Sequence, residues 1–420
     1  MRNNDVIVVG GGLAGLFAAA VAAKEGRKVR VLAYGAGALN IGGGIIDVLG
    51  YGDDARPLSS PADGIDKLSP AHPYQKIGKE AIVAALRFFQ QISFDEGYEY
   101  IGSIDQMQWL PTAAGTLKPT CLVPKTMNPA VLKQAGKVYV VGFDYLKDFY
   151  PQLVARNLQK RFGEAKTFIP LSCALNFTEG RDVSSLDIAR WLDTGAGQES
   201  FVQQLAKSID PGSAVIVPPV LGTAADYVLV ESLEKVLGSR FIETAALPPA
   251  VTGLRLRTML LRHLKKQGVT IMEKALVTSA VVNDGHCAGV MTDNFDRQRA
   301  YEAKAFILAS GGLYGGGLQA EPGRIVEPVF GLSAAVPAGQ EDWSNAQLFS
   351  DKKQLFAQLG ICVDETMRPQ GPDGATVLSN VYVAGRNLGG YDFCFEKSGN
   401  GVALASAYKA AMSLQGSDKQ

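Results

Sequence analysis

The chain begins with an apolar run, a glycine turn, an alanine-rich segment and a second apolar run. Residues Asp5 to Val9 form a mostly β-branched run, typical of a strand buried on both faces. The alanine-rich segment predicts a helix from Leu13 to Glu25, with Gly26 as its stop signal. Lys28 to Leu32 predicts the second strand. This order predicts a β-α-β unit.

The later part of the chain repeats the pattern of apolar strands that run into glycines. Leu261 to Ile271 predicts a helix ending at Gly268 and then a strand, and Leu276 to Val290 predicts a β-meander. Ala305 to Gly317 is an apolar strand that enters a glycine-rich turn. Four such turns in one chain suggest that they surround a common ligand.

The C-terminal segments follow the same pattern. Leu378 to Gly390 predicts a buried strand that opens onto glycines. A helix is predicted to begin at about Asn400, with Ser398 or Asn400 as the capping residue.

The middle of the chain predicts a separate unit. Val138 to Val141 and Ala214 to Val217 are predicted strands of a second sheet. We therefore predict an α/β protein with a discontinuous Rossmann-like cofactor domain of the FAD/NAD(P)-binding type and an inserted second α/β domain. The predicted boundaries are 1–52, 253–325 and 355–420 for the cofactor domain and 53–252 for the insertion, with a substrate or partner site where the two domains face each other.

The first glycine turn matches a dinucleotide-binding motif. Gly10 to Gly15 fits G-x-G-x-x-G between the predicted strand and helix. Gly10 permits the tight turn, Gly12 lets a pyrophosphate approach the backbone, and Gly15 lets the helix pack on the strand. The helix that follows presents its N-terminal amides and its dipole to a phosphate.

Composition and charge limit the kinds of partner and metal site that the chain is expected to have. The 41 basic residues balance the 41 acidic ones, which gives no indication of a nucleic-acid partner. The five cysteines include no C-x-x-C pair and only three histidines are present, so we predict reduced thiols, no metal site and no iron–sulfur cluster. The uncharged run from Val6 to Ala23 is interrupted by glycines, so membrane contact is expected only through a partner.

The end of the second strand departs from the usual dinucleotide site. An Asp or Glu normally binds the adenosine ribose there, but this chain has Ala33 and Tyr34. A carboxylate makes charge-assisted hydrogen bonds of about 1.5–3 kcal/mol each, and a loss of roughly 3 kcal/mol lowers affinity by about two decades. FMN has no adenosine ribose, whereas backbone groups could hold that of FAD, so the residues alone leave FMN and FAD open.

The glycine-rich segments together resemble the large family of two-dinucleotide-fold flavoproteins that includes fumarate reductase. In more detail the chain resembles the B subunits of anaerobic glycerol-3-phosphate dehydrogenases. The phrases that carry the resemblance stand in order along nearly the full chain: GGGLAGL (10–16), SPAHPY (69–74), GTLKPT (115–120), VYVVGFDYLKDF (138–149), LPPAVTGLRL (247–256), ASGGLYGGGL (309–318) and EPVFGL (327–332).

The resemblance implies an oxidoreductase subunit. Such enzymes oxidise sn-glycerol 3-phosphate to dihydroxyacetone phosphate and pass electrons to quinone. It implies an FAD-containing A subunit, an iron–sulfur and membrane-anchoring C subunit, and FMN in the chain read here. It also implies a cytoplasmic chain, peripheral to the inner membrane through the complex. Two alternatives remain: a structural subunit without a redox cofactor, or a free-standing FAD oxidoreductase.

The resemblance places the cofactor contacts at the four turns. In related flavosubunits an acidic residue often follows the Ala-Gly of the last strand, where this chain has Arg386. Arg386 could meet a phosphate or be a surface arginine. The helix near Asn400 is expected to face the pyrimidine end of the flavin. The predicted contact residues are Gly10, Gly11, Gly12, Leu13, Ala14, Gly15, Gly42, Gly43, Gly44, Ala309, Ser310, Gly311, Gly385, Arg386, Gly399, Asn400, Gly401 and Val402.

A catalytic or binding role is less well supported for several other residues. His72 lies between prolines, and we interpret it as a turn histidine more than as a catalytic base. A basic cluster could catch a phosphate but is more typical of a solvated helix face; its members are Arg255, Arg257, Arg262, Lys265 and Lys266. Arg324 and Glu327 are near the site by position only. The sequence assigns no catalytic residue.

Overall fold

The structure is a computed structural model that describes residues 4–178, 180–245, 247–294, 297–336, 343–347 and 352–414. The strands are β1 (Asn4–Val9), β2 (Val29–Ala33), β3 (Tyr100–Gly102), β4 (Gln108–Pro111), β5 (Leu117–Thr120), β6 (Leu122–Pro124), β7 (Lys137–Phe143), β8 (Thr167–Cys173), β9 (Ala214–Val217), β10 (Arg240–Glu243), β11 (Thr270–Glu273), β12 (Leu276–Asn283), β13 (His286–Asn294), β14 (Arg297–Leu308), β15 (Gln319–Glu321), β16 (Arg324–Val326) and β17 (Val381–Val383). The α-helices are α1 (Leu13–Lys24), α2 (Pro61–Ile65), α3 (Pro73–Ile77), α4 (Lys79–Asp95), α5 (Ala130–Gln134), α6 (Pro151–Phe162), α7 (Ser185–Leu192), α8 (Gly195–Ala206), α9 (Val228–Leu237), α10 (Val251–Lys266), α11 (Gly312–Gly315), α12 (Phe393–Glu396) and α13 (Gly399–Ser413).

The larger sheet has the strand order β11-β2-β1-β14-β13-β12, and β17 pairs with β14. Strands β11, β2, β1, β14 and β17 are parallel, whereas β12, β13 and β14 form the antiparallel meander that the sequence predicts. Strand β1 is apolar and buried from Val6 to Val9, as expected for a central strand of a parallel sheet with both faces covered. Helix α1 is buried from Leu13 to Ala22, because it packs between the sheet and neighbouring helices that include α13 and α10.

A smaller sheet lies between β2 and β11 in the sequence. Its order is β10-β9-β7-β8, and all its strand pairs are parallel. It has its own hydrophobic core, which includes Val140, Phe201 and Ile216. The chain is therefore an α/β protein with a second α/β unit inserted into the first, as the sequence predicts.

Helix α4 packs with the cofactor domain, although the predicted insertion begins at residue 53. Helix α4 lies inside the range 53–252, yet its Ile82 and Phe89 are fully buried in the core of the larger sheet. The Phe89 ring centroid lies 6.2 Å from that of Phe17 on α1. The apolar face of α4 packs against α13 and α1, because those helices bring apolar side chains to the same layer. The exact domain boundaries stay a prediction, and their outermost positions, 1–3 and 415–420, lie outside the described residues.

Helix α10 is longer than the sequence predicts. The periodicity indicates a helix from Leu261, but α10 begins at Val251 and includes the phrase TGLRL. Its first turns connect the small sheet to the large one. Among the described residues, no helix combines the length and the apolar character needed to cross a membrane.

Candidate functional site

A cavity of about 700 Å³ lies at the edge where the parallel strands β1, β2, β14 and β17 end. Val9, Leu32, Ala309 and Gly385, which lie at or just beyond the ends of these strands, line it. The carboxyl ends of strands in an open parallel sheet are the usual position for ligands of such folds. The cavity therefore lies where the glycine turns of the sequence predict a common ligand.

The segment after β1 has no room for a Cβ at Gly10, Gly11 or Gly15. Gly10 has φ +124°, and a Cβ there would overlap the carbonyl oxygen of Ala309. A Cβ on Gly15 would overlap the carbonyl oxygen of Gly10, so Gly15 lets α1 approach the turn. A Cβ on Gly12 would meet no atom within 4 Å, although Gly12 lines the cavity. Gly12 thus leaves open space where a ligand can approach the backbone.

The N-terminus of α1 opens toward the same space. Its N-cap is Gly12, no side chain caps the helix, and its first turn contains no acidic residue. Leu13 and Ala14 of this turn line the cavity. Unsatisfied amides and the helix dipole make such an end favourable for an anion.

The loop from Gly42 to Gly44 forms a second wall, and α10 supports it from behind. The Thr252 hydroxyl donates a hydrogen bond to the Gly43 carbonyl at 2.8 Å. Gly253 belongs to the first turn of α10, and a Cβ on it would overlap the carbonyls of Leu39 and Gly42. The phrase TGLRL therefore positions this wall through close backbone contact, which its Gly253 permits.

The N-terminus of α13 forms another part of the cavity wall. Gly399 and Asn400 line it, and Asn400 Nδ2 donates to the Ile45 carbonyl at 2.7 Å. Ser398 occupies the N-cap position, as one of the two predicted alternatives, but its side chain does not cap the helix. Ser398 Oγ instead donates to Glu396 Oε2 at 3.1 Å. The first amides of α13 consequently have no side-chain cap.

Asn387 holds two of the turns together and was not identified in the sequence. Its side chain is fully buried, its Oδ1 accepts from the Gly311 N–H at 2.8 Å, and its Nδ2 donates to Ser310 Oγ at 2.9 Å. The turn after β14 is thereby fixed to the turn after β17. The sequence distinguishes the adjacent Arg386, because related flavosubunits often have an acidic residue there. Nothing in the sequence indicates a role for the Asn387 side chain.

Most of the predicted contact residues line the cavity, and four do not. The four are Gly15, Gly43, Gly401 and Val402. Gly15 packs on the turn, and Gly401 donates its N–H to the Asp47 carbonyl at 2.8 Å. Gly43 accepts from Thr252, and Val402 is buried inside the helix layer. Neighbouring glycines in a run face different directions, which the sequence does not reveal.

Several lining segments were missed. They include the loop 34–41, the start of β12 at 275–278, and the residues around the run Gly315–Gly317 together with Pro328 and Val329. The glycine run and Tyr34, at the position of the usual ribose-binding carboxylate, had a signal in the sequence. The lining of the loop 34–41 includes Tyr34, Gly35 and Gly37, so the cavity extends past the end of β2.

Arg386 is the only formally charged side chain among the described lining residues. Its guanidinium carbon lies 4.0 Å from the centroid of the Phe393 ring, in a cation–π contact. Arg386 is half-buried, and its role toward a ligand stays a prediction. The cavity therefore carries one positive charge and, in the described part of the chain, no carboxylate.

His72 is structural. It is 2% exposed, its Nδ1 accepts from the Tyr74 N–H at 3.1 Å, and its Nε2 lies 3.1 Å from Glu396 Oε2. His72 does not line the cavity. The interpretation as a turn histidine agrees with this geometry.

The basic cluster on α10 is not one solvated face. Arg255 is 1% exposed and forms a bidentate ion pair with Glu243 on β10, with nitrogen–oxygen distances of 2.6 and 2.9 Å. Arg262 and Lys266 both pair with Glu96, at 2.7 and 2.8 Å. The ion-paired members are therefore engaged in holding the helix, and none of the cluster lines the cavity.

The residues after β15 have different roles. Arg324 is exposed and pairs with Glu321 at 2.6 Å. Glu327 is fully buried and accepts N–H groups from Val329 and Phe330 at 2.9 and 2.6 Å. Burial raises the pKa of Glu327 despite these contacts. Glu327 thus shapes the wall that Pro328 and Val329 contribute.

The described residues include no cluster of three or more His, Cys, Asp or Glu side chains suited to hold a metal ion. Cys121, Cys173 and Cys287 are buried, and Cys362 and Cys394 are exposed. Burial raises the pKa of the Cys121 and Cys173 thiols to about 12. These two cysteines therefore behave as apolar core residues.

Comparison with protein families gives one matching model, described as "FAD binding domain", over residues 5–402. A protein of Vibrio cholerae, named as the B subunit of anaerobic glycerol-3-phosphate dehydrogenase, is 30% identical, covering 98% of this chain and 96% of the relative. A Halobacterium salinarum protein, named as a probable B subunit of the same enzyme, is 31% identical, covering 97% and 96%. A protein from Pectobacterium atrosepticum with the same name as the Vibrio one is 30% identical and covers 97% of each chain.

Two solved structures are similar over the whole chain. One is 3-ketosteroid delta1-dehydrogenase from Sterolibacterium denitrificans, with a TM-score of 0.47, 11% identity and coverage of 99% of this chain and 100% of that one. The other is Mycobacterium smegmatis Sdh1, with a TM-score of 0.43, 10% identity and coverage of 100% and 69%.

Proposed function

This chain belongs to the FAD binding domain family, and on that premise we propose that it is the flavin-carrying B subunit of an anaerobic glycerol-3-phosphate dehydrogenase. The family match spans residues 5–402, and relatives of that name align over nearly their full length. The observation that carries the proposal is the cavity lined by four glycine-rich turns at one edge of the sheet. The chain is an oxidoreductase subunit, and its cofactor is a flavin.

The residues of the cavity fit a flavin nucleotide. Gly12 leaves open space beside the uncapped N-terminus of α1, which suits a phosphate group. The N-terminus of α13 has no side-chain cap and also borders the cavity, and its dipole suits a group that gains negative charge. Arg386 is the single cation of the described lining, and its positive charge is favourable for an anionic ligand.

We propose FAD as the flavin. The missing carboxylate at Ala33 and Tyr34 left FMN and FAD open, and the expectation of FMN came from the resemblance to the B subunits; the matching family model, an FAD binding domain, supports FAD. The cavity continues past the end of β2 to Tyr34, Gly35 and Gly37, where an adenosine would lie. Backbone groups of this loop then take the place of the carboxylate in holding the ribose.

A bound flavin supplies an acceptor for two electrons, whereas oxidation of an alcohol also needs a base beside it. The described lining contains no His, Asp, Glu or Lys side chain. We therefore propose that glycerol 3-phosphate is oxidised mainly on an FAD-containing partner subunit, and that this chain relays electrons or supports the partner. Electrons then reach quinone, and the complex reaches the membrane, through a further subunit with iron–sulfur clusters.

The experiment compares the purified chain with the chain co-expressed with its partner subunits. The denatured chain should release FAD in stoichiometric amount on chromatography. The isolated chain should show little dye-linked oxidation of glycerol 3-phosphate, and co-expression should restore the activity. A well-folded chain without any flavin would favour the purely structural role, and full turnover by the isolated chain would place the substrate site within it.

A further inference from the structure

Arg386 lies in an unusual electrostatic position. It is the only formally charged side chain among the described residues of the cavity wall. In the part of the chain that the structure describes, no carboxylate forms an ion pair with it. A half-buried cation beside a wall of glycine and apolar atoms loses hydration, so it is unfavourable unless something anionic compensates it.

Aromatic packing fixes the direction of the Arg386 side chain. Its guanidinium stacks on Phe393 at 4.0 Å, and Tyr314 packs edge-to-face on the same ring at 6.0 Å. A Cβ on Gly399 would lie 3.3 Å from Phe393 Cβ, so Phe393 stands directly beside the start of α13. The cation is therefore held close to the start of α13, where Arg386 borders both the large cavity and a small neighbouring cavity that Phe393 also lines.

The backbone just before Arg386 packs beside the first turn of α1. A Cβ on Gly385 would lie 2.8 Å from Ala14 Cβ, in the first turn of α1. Arg386 thus follows a glycine that packs beside the N-terminus of α1, and its guanidinium stacks on Phe393. The N-terminus of α1 already provides amides for the phosphates, so the guanidinium is available for another part of the cofactor.

We propose that Arg386 sets the reduction potential of the bound flavin by stabilising its reduced form. The inference rests on the proposed flavin site, in which the ring system lies at the α13 end. Uptake of two electrons and one proton leaves a flavin with one negative charge, which the oxidised form lacks. A fixed cation and the positive end of α13 both act on this difference.

The test measures the midpoint potential of bound FAD by equilibration with reference dyes. It compares the wild type with Arg386→Met, Arg386→Gln and Arg386→Lys, and the dissociation constant of oxidised FAD is measured for each. Met and Gln should lower the preference for reduced over oxidised flavin about tenfold, which is about 30 mV for a two-electron couple. Lys should retain most of the wild-type potential. Arg324→Met, on an exposed residue paired with Glu321, is the matched control and should leave the potential unchanged.

The outcomes separate the possible roles. An unchanged potential in Arg386→Met and Arg386→Gln overturns the proposal, whether or not FAD binds more weakly. Loss of oxidised FAD from both neutral variants also overturns it, since Arg386 would then hold the cofactor in both oxidation states, as a phosphate ligand does. A wild-type chain that binds no flavin contradicts the proposed function itself and is recognised before any variant is made.

Discussion

The imidazole Nε2 of His72 lies 3.1 Å from Glu396 Oε2, in a contact between side chains that are at most 2% exposed. Because His72 Nδ1 accepts from the Tyr74 N–H, Nε2 carries the proton and donates it to the carboxylate. Glu396 also accepts from Lys353 Nζ at 2.8 Å. Glu396 stands three residues before α13, so this network fixes the chain at the helix end that faces the cavity.

We expect Glu396→Gln to destabilise the protein strongly. The substitution removes one of the two charges that compensate Lys353, the other being that of Asp53. It also presents an amide where donors on His72, Lys353 and Ser398 need carboxylate oxygens. Breaking a buried charged contact of this kind lowers the free energy of unfolding by about 3–5 kcal/mol. Urea-induced unfolding measures the change. Glu321→Gln is the control, because its ion pair with Arg324 is exposed and contributes at most about 1 kcal/mol. Equal losses in the two variants would contradict the role of the buried network.

The contribution of Glu396 should depend on pH in the acid range. Burial favours the neutral carboxyl, but the contacts with His72 and Lys353 outweigh it, so the pKa of Glu396 lies below its ordinary value of 4.5. A carboxyl with a lowered folded pKa stabilises the fold fully above its unfolded pKa and loses this contribution as pH falls through the folded value. The stability difference between wild type and Glu396→Gln should therefore be constant above about pH 4.5 and shrink below it. A difference that grows on acidification would refute this assignment.

Gly12→Val should remove the flavin and leave the fold intact. Gly12 has φ −81°, which any residue adopts, and a Cβ there meets no atom of the protein within 4 Å. The branched side chain instead occupies the space where a phosphate approaches. We expect at least a tenfold loss of FAD affinity, about 1.4 kcal/mol, with a circular dichroism spectrum like that of the wild type. Gly10→Val is the contrasting variant and should misfold, because its side chain would overlap Ala309. Flavin bound by Gly12→Val at wild-type affinity would show that the phosphates lie elsewhere.

Tyr34→Glu should tighten FAD without tightening FMN. Tyr34 follows β2, lines the cavity and is 70% exposed, so a carboxylate can be introduced there without disturbing the core. A hydrogen bond from the adenosine ribose to a carboxylate is worth about 1.5–3 kcal/mol, or roughly ten- to hundredfold in affinity. Titration of the apoprotein with each flavin checks the prediction, and Tyr34→Gln is the neutral control. Equal effects on FAD and FMN would mean that the adenosine does not lie beside residue 34.

Arg255→Leu should be among the most destabilising single changes on α10. It leaves the Glu243 carboxylate buried and uncompensated between the small sheet and the first turns of α10. We expect a loss of about 3–5 kcal/mol, and partial recovery when Glu243→Leu is added, since an apolar pair often replaces a buried ion pair well. Thermal and urea unfolding of the single and double variants measure both effects. A double variant less stable than Arg255→Leu would show that the ion pair does more than neutralise charge.

The parts of the fold that depend on local pattern could be predicted from the sequence. The β1–α1–β2 unit and the turn at Gly10–Gly15 depend on the spacing of glycines and apolar residues, which is visible in the chain. The contacts between distant segments could not be predicted. His72 and Glu396 are 324 positions apart, and nothing in either neighbourhood indicates the other.

The errors have the same origin. Nothing in the sequence distinguishes Gly43 and Gly401 from the neighbouring residues that line the cavity. A shift of one position along the chain decides whether a glycine faces the cavity or the packing behind it. Asn387 was overlooked because a buried amide that joins two turns has no sequence signature.

The cavity wall consists largely of main chain and small side chains, and this has a consequence for how the protein can diverge. A surface built from peptide groups keeps its shape when side chains elsewhere in the protein are exchanged. Selection at the wall positions therefore acts mainly against substitutions that add side-chain atoms. Saturation mutagenesis should therefore give a one-sided pattern, with intolerance at Gly10, Gly44 and Gly253 and broad tolerance at exposed lining residues such as Tyr34. Such a site can persist while most of the surrounding sequence drifts.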